Sequence, residues 1–159
     1  MLGAAVVAAA LRSSRVDAAG EVVAQVGGRT FRLQLASTPA EYVRGLGGVR
    51  ELAADAGMLF AFPEAKVRTF WMKDCFIDLD FAFLDPSGRA LDLGTMRAVE
   101  QRGTLETEVH YRERLRATAV TSSAPAQYVV ELPAGTLAAV GFQRGEVLRL
   151  PEGLPSQRF

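Results

Sequence analysis

The chain has 159 residues, and 49% of them are apolar, a composition that fits one globular domain with a sizeable core. Its 18 Lys and Arg balance 18 Asp and Glu, so the formal net charge is zero. Nucleic-acid binders and proteins held electrostatically on membranes need a basic excess or cluster, so the composition argues against both. One Cys (Cys75) and one His (His110) allow neither an internal disulfide nor a Cys/His metal site, and we expect no cofactor.

The N-terminal segment has the features of a signal-peptide core. An unbroken apolar run covers residues 2–11, which matches the ~7–15 residues of a signal core and falls short of the ~20 that span a membrane. Val16 and Ala18 suit the positions before a cleavage site, although the nearest arginines follow the run instead of preceding it. We therefore predict a signal peptide or a disordered tail over residues 1–20. We expect export, with a cytoplasmic location as the alternative.

The remaining residues, 21–159, are predicted to form one domain of short strands. Two strand-like runs, 21–26 and 30–35, are joined by Gly27-Gly28, a typical hairpin signal. The segment Thr38-Pro39-Ala40-Glu41 has the residues of a capping box and predicts a short helix. Apolar runs bounded by turn residues predict the other strands, near residues 57–62, 67–73, 79–85, 89–95, 127–132 and 146–150.

These elements predict a mostly β fold of the β-rich α+β class. Many short strands with one or two short helices favour a small barrel-like sheet, closed or nearly closed. The second helix is a single turn over residues 136–140, ended by Gly141. Residues 97–121 are charged and poor in apolar side chains, so we expect an exposed excursion that is partly helical. The sequence shows no internal repeat and no linker between domains.

A series of motifs resembles a bacterial and archaeal family called domain of unknown function 192 (DUF 192), also catalogued as uncharacterised protein family 0127. The resemblance covers nearly everything from Phe31 to Leu150. It implies a small β-rich domain that is often exported, and it brings no established activity. The chain departs from the family pattern at Asp74-Cys75, where Asn-Thr is usual, and at Gly47, where Met is usual. The matching motifs are Thr38-Pro-Ala-Glu41, Arg44-Gly-Leu46, Gly57-Met-Leu-Phe60, Phe70-Trp-Met-Lys73, Leu79-Asp80, Asp85 with Gly88, and Tyr128 to Gly135 followed by Gly141 and Gly145-Glu146.

The Phe-Trp-Met-Lys motif suggests a ligand site. If it is a strand, Trp71 and Lys73 share one face because side chains alternate. Asp80 lies on the polar face of an otherwise apolar strand, so pairing of the two strands would bring Lys73 to Asp80 beside Trp71. An exposed Trp next to a cation and a carboxylate suits a small polar ligand such as a sugar. The alternatives are a buried Trp71 with an ordinary ion pair, and an Asp80 that fixes a loop by accepting backbone N–H groups.

Other polar residues have weaker patterns. Ser122 and Ser123 either supply hydroxyls to this site or make a turn before a proline. Asp85 precedes Pro-Ser-Gly and is predicted to be a turn residue. Cys75 and His110 could form a nucleophile pair in principle, but no third orienting group accompanies them. Phosphate-loop and dinucleotide fingerprints are absent from the sequence.

Three functions stay open. The first is a non-catalytic domain outside the cytoplasm that binds a small polar ligand, carbohydrate first, through Trp71, Lys73, Asp80, Ser122 and Ser123. The second is a hydrolase-like enzyme with Asp80 and Lys73 as acid and base, for which the sequence supplies no metal and no obvious nucleophile. The third is an accessory protein that binds another protein through the charged excursion. A concave pocket beside Trp71 and Lys73 would favour the first two.

Overall fold

The computed structural model describes residues 16–154. The apolar run at residues 2–11 lies outside the described residues, and the expectation of export stays a prediction. No helix in the described part is long and apolar enough to cross a membrane. The elements are β1 (Glu21–Val26), β2 (Arg29–Ala36), α1 (Pro39–Arg44), β3 (Ala56–Lys66), β4 (Thr69–Phe70), β5 (Leu79–Leu84), β6 (Ala90–Met96), α2 (Glu108–Ala117), β7 (Val120–Thr121), β8 (Ala126–Pro133) and α3 (Thr136–Ala139).

Six strands form one mixed sheet in the order β1-β2-β3-β8-β5-β6, and β4 pairs with β7 in a small second sheet. The β2–β3 pair is parallel, whereas the other neighbours in the large sheet are antiparallel. The predicted mostly β, β-rich α+β class is confirmed. The predicted closure into a barrel is wrong, because the sheet stays open between β1 and β6.

The strand predicted at residues 146–150 is also wrong, because this segment lies between β1 and the start of β6. This segment makes one isolated bridge on each side, Gln25 to Arg149 and Arg89 to Val147. Its backbone groups are therefore divided between two edges and form no continuous ladder with either one.

Both faces of the large sheet are buried, so β5 is buried along its whole length. One face carries a core that includes Val22, Phe31, Leu33 and Leu132 and is covered by α3. The other face, here called the aromatic face, carries Met58, Phe60, Phe62, Phe81 and Phe83. Since side chains alternate along a strand, neighbouring residues of β5 and β8 belong to different cores.

The strand predicted at residues 67–73 is confirmed only at its centre. Only Thr69–Phe70 is a strand, and it pairs with β7 instead of with Leu79–Leu84. The chain turns after Met72, whose carbonyl accepts from the Cys75 N–H at 3.3 Å. Asp74 has a φ of 57°, in the left-handed region that Asn and Asp tolerate better than most residues.

The predicted hairpin and first helix are confirmed. Gly27 and Gly28 both have positive φ, 56° and 79°, as a two-residue turn between β1 and β2 requires. Thr38 caps α1: its hydroxyl accepts from the Glu41 N–H, and the Glu41 carboxylate accepts from the Thr38 N–H at 2.9 Å. The charged excursion holds α2, which reaches back to the turn after Met72, where the Asp74 N–H donates to the Tyr111 hydroxyl at 3.2 Å.

Candidate functional site

A cavity of about 540 Å³ lies against the aromatic face of the sheet. Its volume is within the range of pockets that hold small molecules, roughly 300–1,000 Å³. Aromatic side chains of α1, β3, β4 and the turn after β4 line it together with several charged residues. The aromatic residues are Tyr42, Phe60, Phe62, Phe70 and Trp71, and the charged residues are Arg44, Arg68, Lys73, Arg112 and Glu131.

Glu131 is the buried polar group of this cavity. In the register of the sheet it lies opposite Met58 of β3 and Phe81 of β5, so its side chain projects from the aromatic face. The residue is 5% exposed, and its carboxyl has no hydrogen-bond partner among residues 16–154. No side-chain N or O atom of the described part is both sealed from solvent and unpaired, so the carboxyl oxygens reach the space of the cavity. Burial raises its pKa to about 8. Near neutral pH the carboxyl is therefore mostly protonated and presents an O–H donor and a carbonyl acceptor.

Cys75 lines the same cavity, and its thiol is not activated as a nucleophile. Its thiol is buried and donates to the Lys73 carbonyl at 3.5 Å. Burial, with smaller contributions from Glu131 and Asp74, raises the pKa of Cys75 to about 12, so the thiolate is scarce at neutral pH. His110 is exposed on α2, and nothing in the described part pairs it with the thiol.

The aromatic side chains form a packed wall. Tyr42 and Phe62 lie 4.4 Å apart between ring centroids, and Phe60 and Phe70 meet edge to face at 4.9 Å. The Tyr42 hydroxyl, the one polar atom of these four rings, donates to the Ala61 carbonyl at 2.7 Å. Such a wall suits the apolar body of a ligand.

Arg68 is held rigidly at this wall. Its guanidinium lies 3.7 Å from the centroid of Phe62 and donates to the carbonyls of Glu64 and Ala126, at 2.6 and 3.3 Å. The backbone N–H of Arg68 donates to the Ser122 hydroxyl at 2.9 Å. Burial lowers the pKa of Arg68, but a guanidinium stays charged at neutral pH.

The cavity carries more positive than negative charge. Arg112 is paired with Glu108 at 2.9 Å. Arg44, Arg68 and Lys73 form no ion pair with a carboxylate among residues 16–154. A smaller space of about 370 Å³ adjoins the cavity and shares Arg44 and Lys73 with it.

The pocket expected beside Trp71 and Lys73 is present. Both side chains line it, and Trp71 is 39% exposed, which excludes a sealed tryptophan. Their role in binding stays a prediction.

Asp80, by contrast, does not lie with Lys73. It opposes Leu132 in the sheet and projects from the face that α3 covers. Its carboxylate accepts from the Thr95 hydroxyl at 2.6 Å and from the Leu137 N–H at 2.8 Å. The predicted Lys73–Asp80 pair is wrong, whereas the alternative in which Asp80 accepts a backbone N–H is confirmed.

The two serines have structural partners. Ser122 is buried behind Arg68 and helps to position it. The N–H and hydroxyl of Ser123 both donate to the Asp92 carboxylate, at 2.7 and 2.9 Å. Asp85 accepts from the Ser87 N–H at 2.8 Å, which confirms its predicted turn role.

Sequence reasoning missed Glu131, which it assigned to a structural C-terminal block. A signal was available: Glu131 interrupts the apolar run of β8 as Asp80 interrupts that of β5. Arg68 gave no such signal, since only the tertiary structure stacks it on Phe62. Among residues 16–154, no cluster of three or more His, Cys, Asp or Glu side chains could hold a metal ion.

Fold and site together define a small domain with a mixed sheet and a cavity on its aromatic face. The chain belongs to the DUF192 family, described as "Uncharacterized ACR", whose profile matches residues 22–150. This confirms the resemblance found in the sequence. No curated protein matches the chain.

The solved structures similar to this one include the following two. The first is a Sinorhizobium meliloti 1021 protein, provisionally called a transcription regulator, with 31% identity and a TM-score of 0.64 over 81% of this chain and 92% of that one. The second, from Novosphingobium aromaticivorans, has unknown function, 27% identity and a TM-score of 0.66 over 89% of this chain and 96% of that one.

Proposed function

We propose that this chain is a non-catalytic domain that binds a small polar ligand in the cavity beside Glu131. The observation that carries the proposal is the Glu131 carboxyl, nine-tenths buried and without a hydrogen-bond partner in the described part of the chain. Its oxygens reach the space of the cavity, so they are open to a hydrogen bond with a molecule bound there. A polar group of a bound molecule would supply the missing hydrogen bond, which the surrounding apolar side chains cannot do.

Trp71 adds a second contact at the rim. Its partly exposed ring could pack against C–H groups while Glu131 exchanges hydrogen bonds with a hydroxyl. Carbohydrate is therefore one candidate to test within the class of small polar ligands. Residues 2–11 support the further proposal that the protein works outside the cytoplasm.

Binding is preferred to hydrolysis for two reasons. The acid and base of the hydrolase hypothesis, Asp80 and Lys73, project from opposite faces of the sheet. The Cys75 thiol, which also lines the cavity, is held protonated by burial, which raises its pKa to about 12.

The provisional name of the Sinorhizobium protein is not extended to this chain. A helix-turn-helix regulator reads DNA with the second of two consecutive helices. Within residues 16–154 strands separate all helices from one another, and the whole chain has no net charge.

Thermal-shift screening against a panel of metabolites and glycans tests the proposal. We would compare the wild-type chain with Trp71→Ala, Glu131→Met and the control Phe76→Ala, which removes an aromatic ring of similar exposure (37%) outside the cavity. At least one compound should raise the Tm of the wild type and the control but not of the two cavity variants. That compound should be recovered unchanged.

Two results would overturn the proposal. Either no compound stabilises the wild type, or every active compound stabilises all four proteins equally. Chemical conversion of an active compound would replace the binding proposal with an enzymatic one.

A further inference from the structure

We propose that the ligand of this cavity is a small organic carboxylate, an anion with an aromatic or other apolar body. The inference rests on the proposed function, because it names the ligand class of the same site.

The cavity carries positive charge that no carboxylate of the described part compensates. Arg44, Arg68 and Lys73 line the cavity, and none of them is paired with a carboxylate of residues 16–154. Arg68 is partly buried and held against Phe62, so it cannot swing into solvent without losing its carbonyl contacts. A fixed and partly dehydrated cation favours an anionic partner, because charge-assisted hydrogen bonds are roughly twice as strong as neutral ones.

The protein's own acid in the cavity does not neutralise these cations. Glu131 is the one carboxylate-bearing residue among the side chains that line the cavity. Burial raises its pKa to about 8, so near neutral pH it contributes an O–H donor instead of a negative charge. A bound carboxylate would accept that hydrogen bond and also supply the missing charge.

The wall of the cavity is apolar and aromatic. Phe60, Phe62 and Phe70 pack edge to face or stacked against one another and offer little hydrogen bonding to a molecule that is polar on all sides. A neutral sugar would bury hydroxyls against these rings and would leave the cations unpaired. A carboxylate on an apolar body uses both parts of the cavity.

Matched pairs of probes test the inference. We would titrate phenylacetate and its neutral analogue phenylacetamide, then glucuronate and glucose, into the protein near neutral pH and low salt by isothermal titration calorimetry. Phenylacetate should bind about tenfold more tightly than phenylacetamide, in keeping with a charge-assisted contact.

Substitutions of Lys73 test whether a cavity cation binds the carboxylate, and a substitution of Lys66 serves as the control. Lys73→Gln should weaken phenylacetate binding about five- to tenfold, and Lys73→Arg should retain it, because the charge is kept. Lys66→Gln is the matched control, since Lys66 is exposed, paired with Glu64 at 2.6 Å, and outside the cavity lining. It should bind phenylacetate as the wild type does.

The outcomes separate this inference from the proposed function. Equal affinity for phenylacetate and phenylacetamide, or equal losses in Lys73→Gln and Lys66→Gln, overturns the carboxylate assignment. Glucose binding that needs Trp71 and Glu131 also overturns it and leaves the binding function standing. The carboxylate assignment is also overturned if neither phenylacetate nor glucuronate binds at about 10 mM. At that concentration, binding with a Kd weaker than ~1 mM would still be detected. The panel screen then decides the proposed function separately.

Discussion

Replacing Glu131 with Met should make the protein more stable at neutral pH while it removes ligand binding. Methionine is unbranched and of similar size, and it removes a buried carboxyl that has no hydrogen-bond partner among residues 16–154. Most single substitutions of buried residues destabilise, so a gain in stability would be an unusual and specific result.

The size of the effect follows from proton linkage. Burial raises the pKa of Glu131 from its ordinary 4.5 to about 8, so the folded protein holds this proton more tightly than the unfolded chain does. The stability contribution of Glu131 is therefore fully present below the unfolded pKa and is lost as the pH rises through the folded pKa. At about 1.4 kcal/mol per pH unit, the wild type should lose about 3 kcal/mol between pH ~5 and ~7.5.

Urea unfolding across this pH range measures the effect. The wild type should lose stability with rising pH relative to Glu131→Met, with the two curves diverging toward neutral pH. Glu113→Met, which removes an exposed carboxylate of α2, should run parallel to the wild type. If the curves of the wild type and Glu131→Met were parallel, Glu131 would be ionised or paired in the folded protein, and the reasoning from its burial would be wrong.

Three further predictions concern the rest of the fold. Thr38→Ala should lower the unfolding free energy by about 1 kcal/mol through loss of the α1 cap; an unchanged urea midpoint would contradict the cap. In a double-mutant cycle, Lys73→Met and Asp80→Asn should be additive within about 0.5 kcal/mol, because the side chains project from opposite faces; a coupling well above that value would restore the ion pair. Cys75 should resist iodoacetamide at pH ~8.5 in the folded protein and react after unfolding, because burial raises its pKa to about 12; rapid labelling of the native state would refute this.

Elements whose signals act over a few residues were predictable from the sequence. The Gly27-Gly28 turn needs only backbone freedom at two adjacent positions, and the cap of α1 joins Thr38 to Glu41. Likewise, apolar runs correctly identified β3, β5 and β8, because burial on both faces requires continuous apolar sequence. The strand predicted at residues 67–73 was wrong beyond Thr69–Phe70, because an apolar run does not specify which strand it pairs with.

The sequence by itself determined the class of the fold, its turns and caps, and a region around Trp71 and Lys73 where a pocket does lie. Only the tertiary structure decided which buried acid belongs to that pocket. Asp80 and Glu131 both interrupt apolar strands, but Asp80 finds its partner in the Leu137 N–H, 57 positions away, while Glu131 finds none in the described part of the chain. That difference depends on strand order and register, which place Asp80 under α3 and Glu131 on the aromatic face, and neither is encoded in the local pattern of either strand.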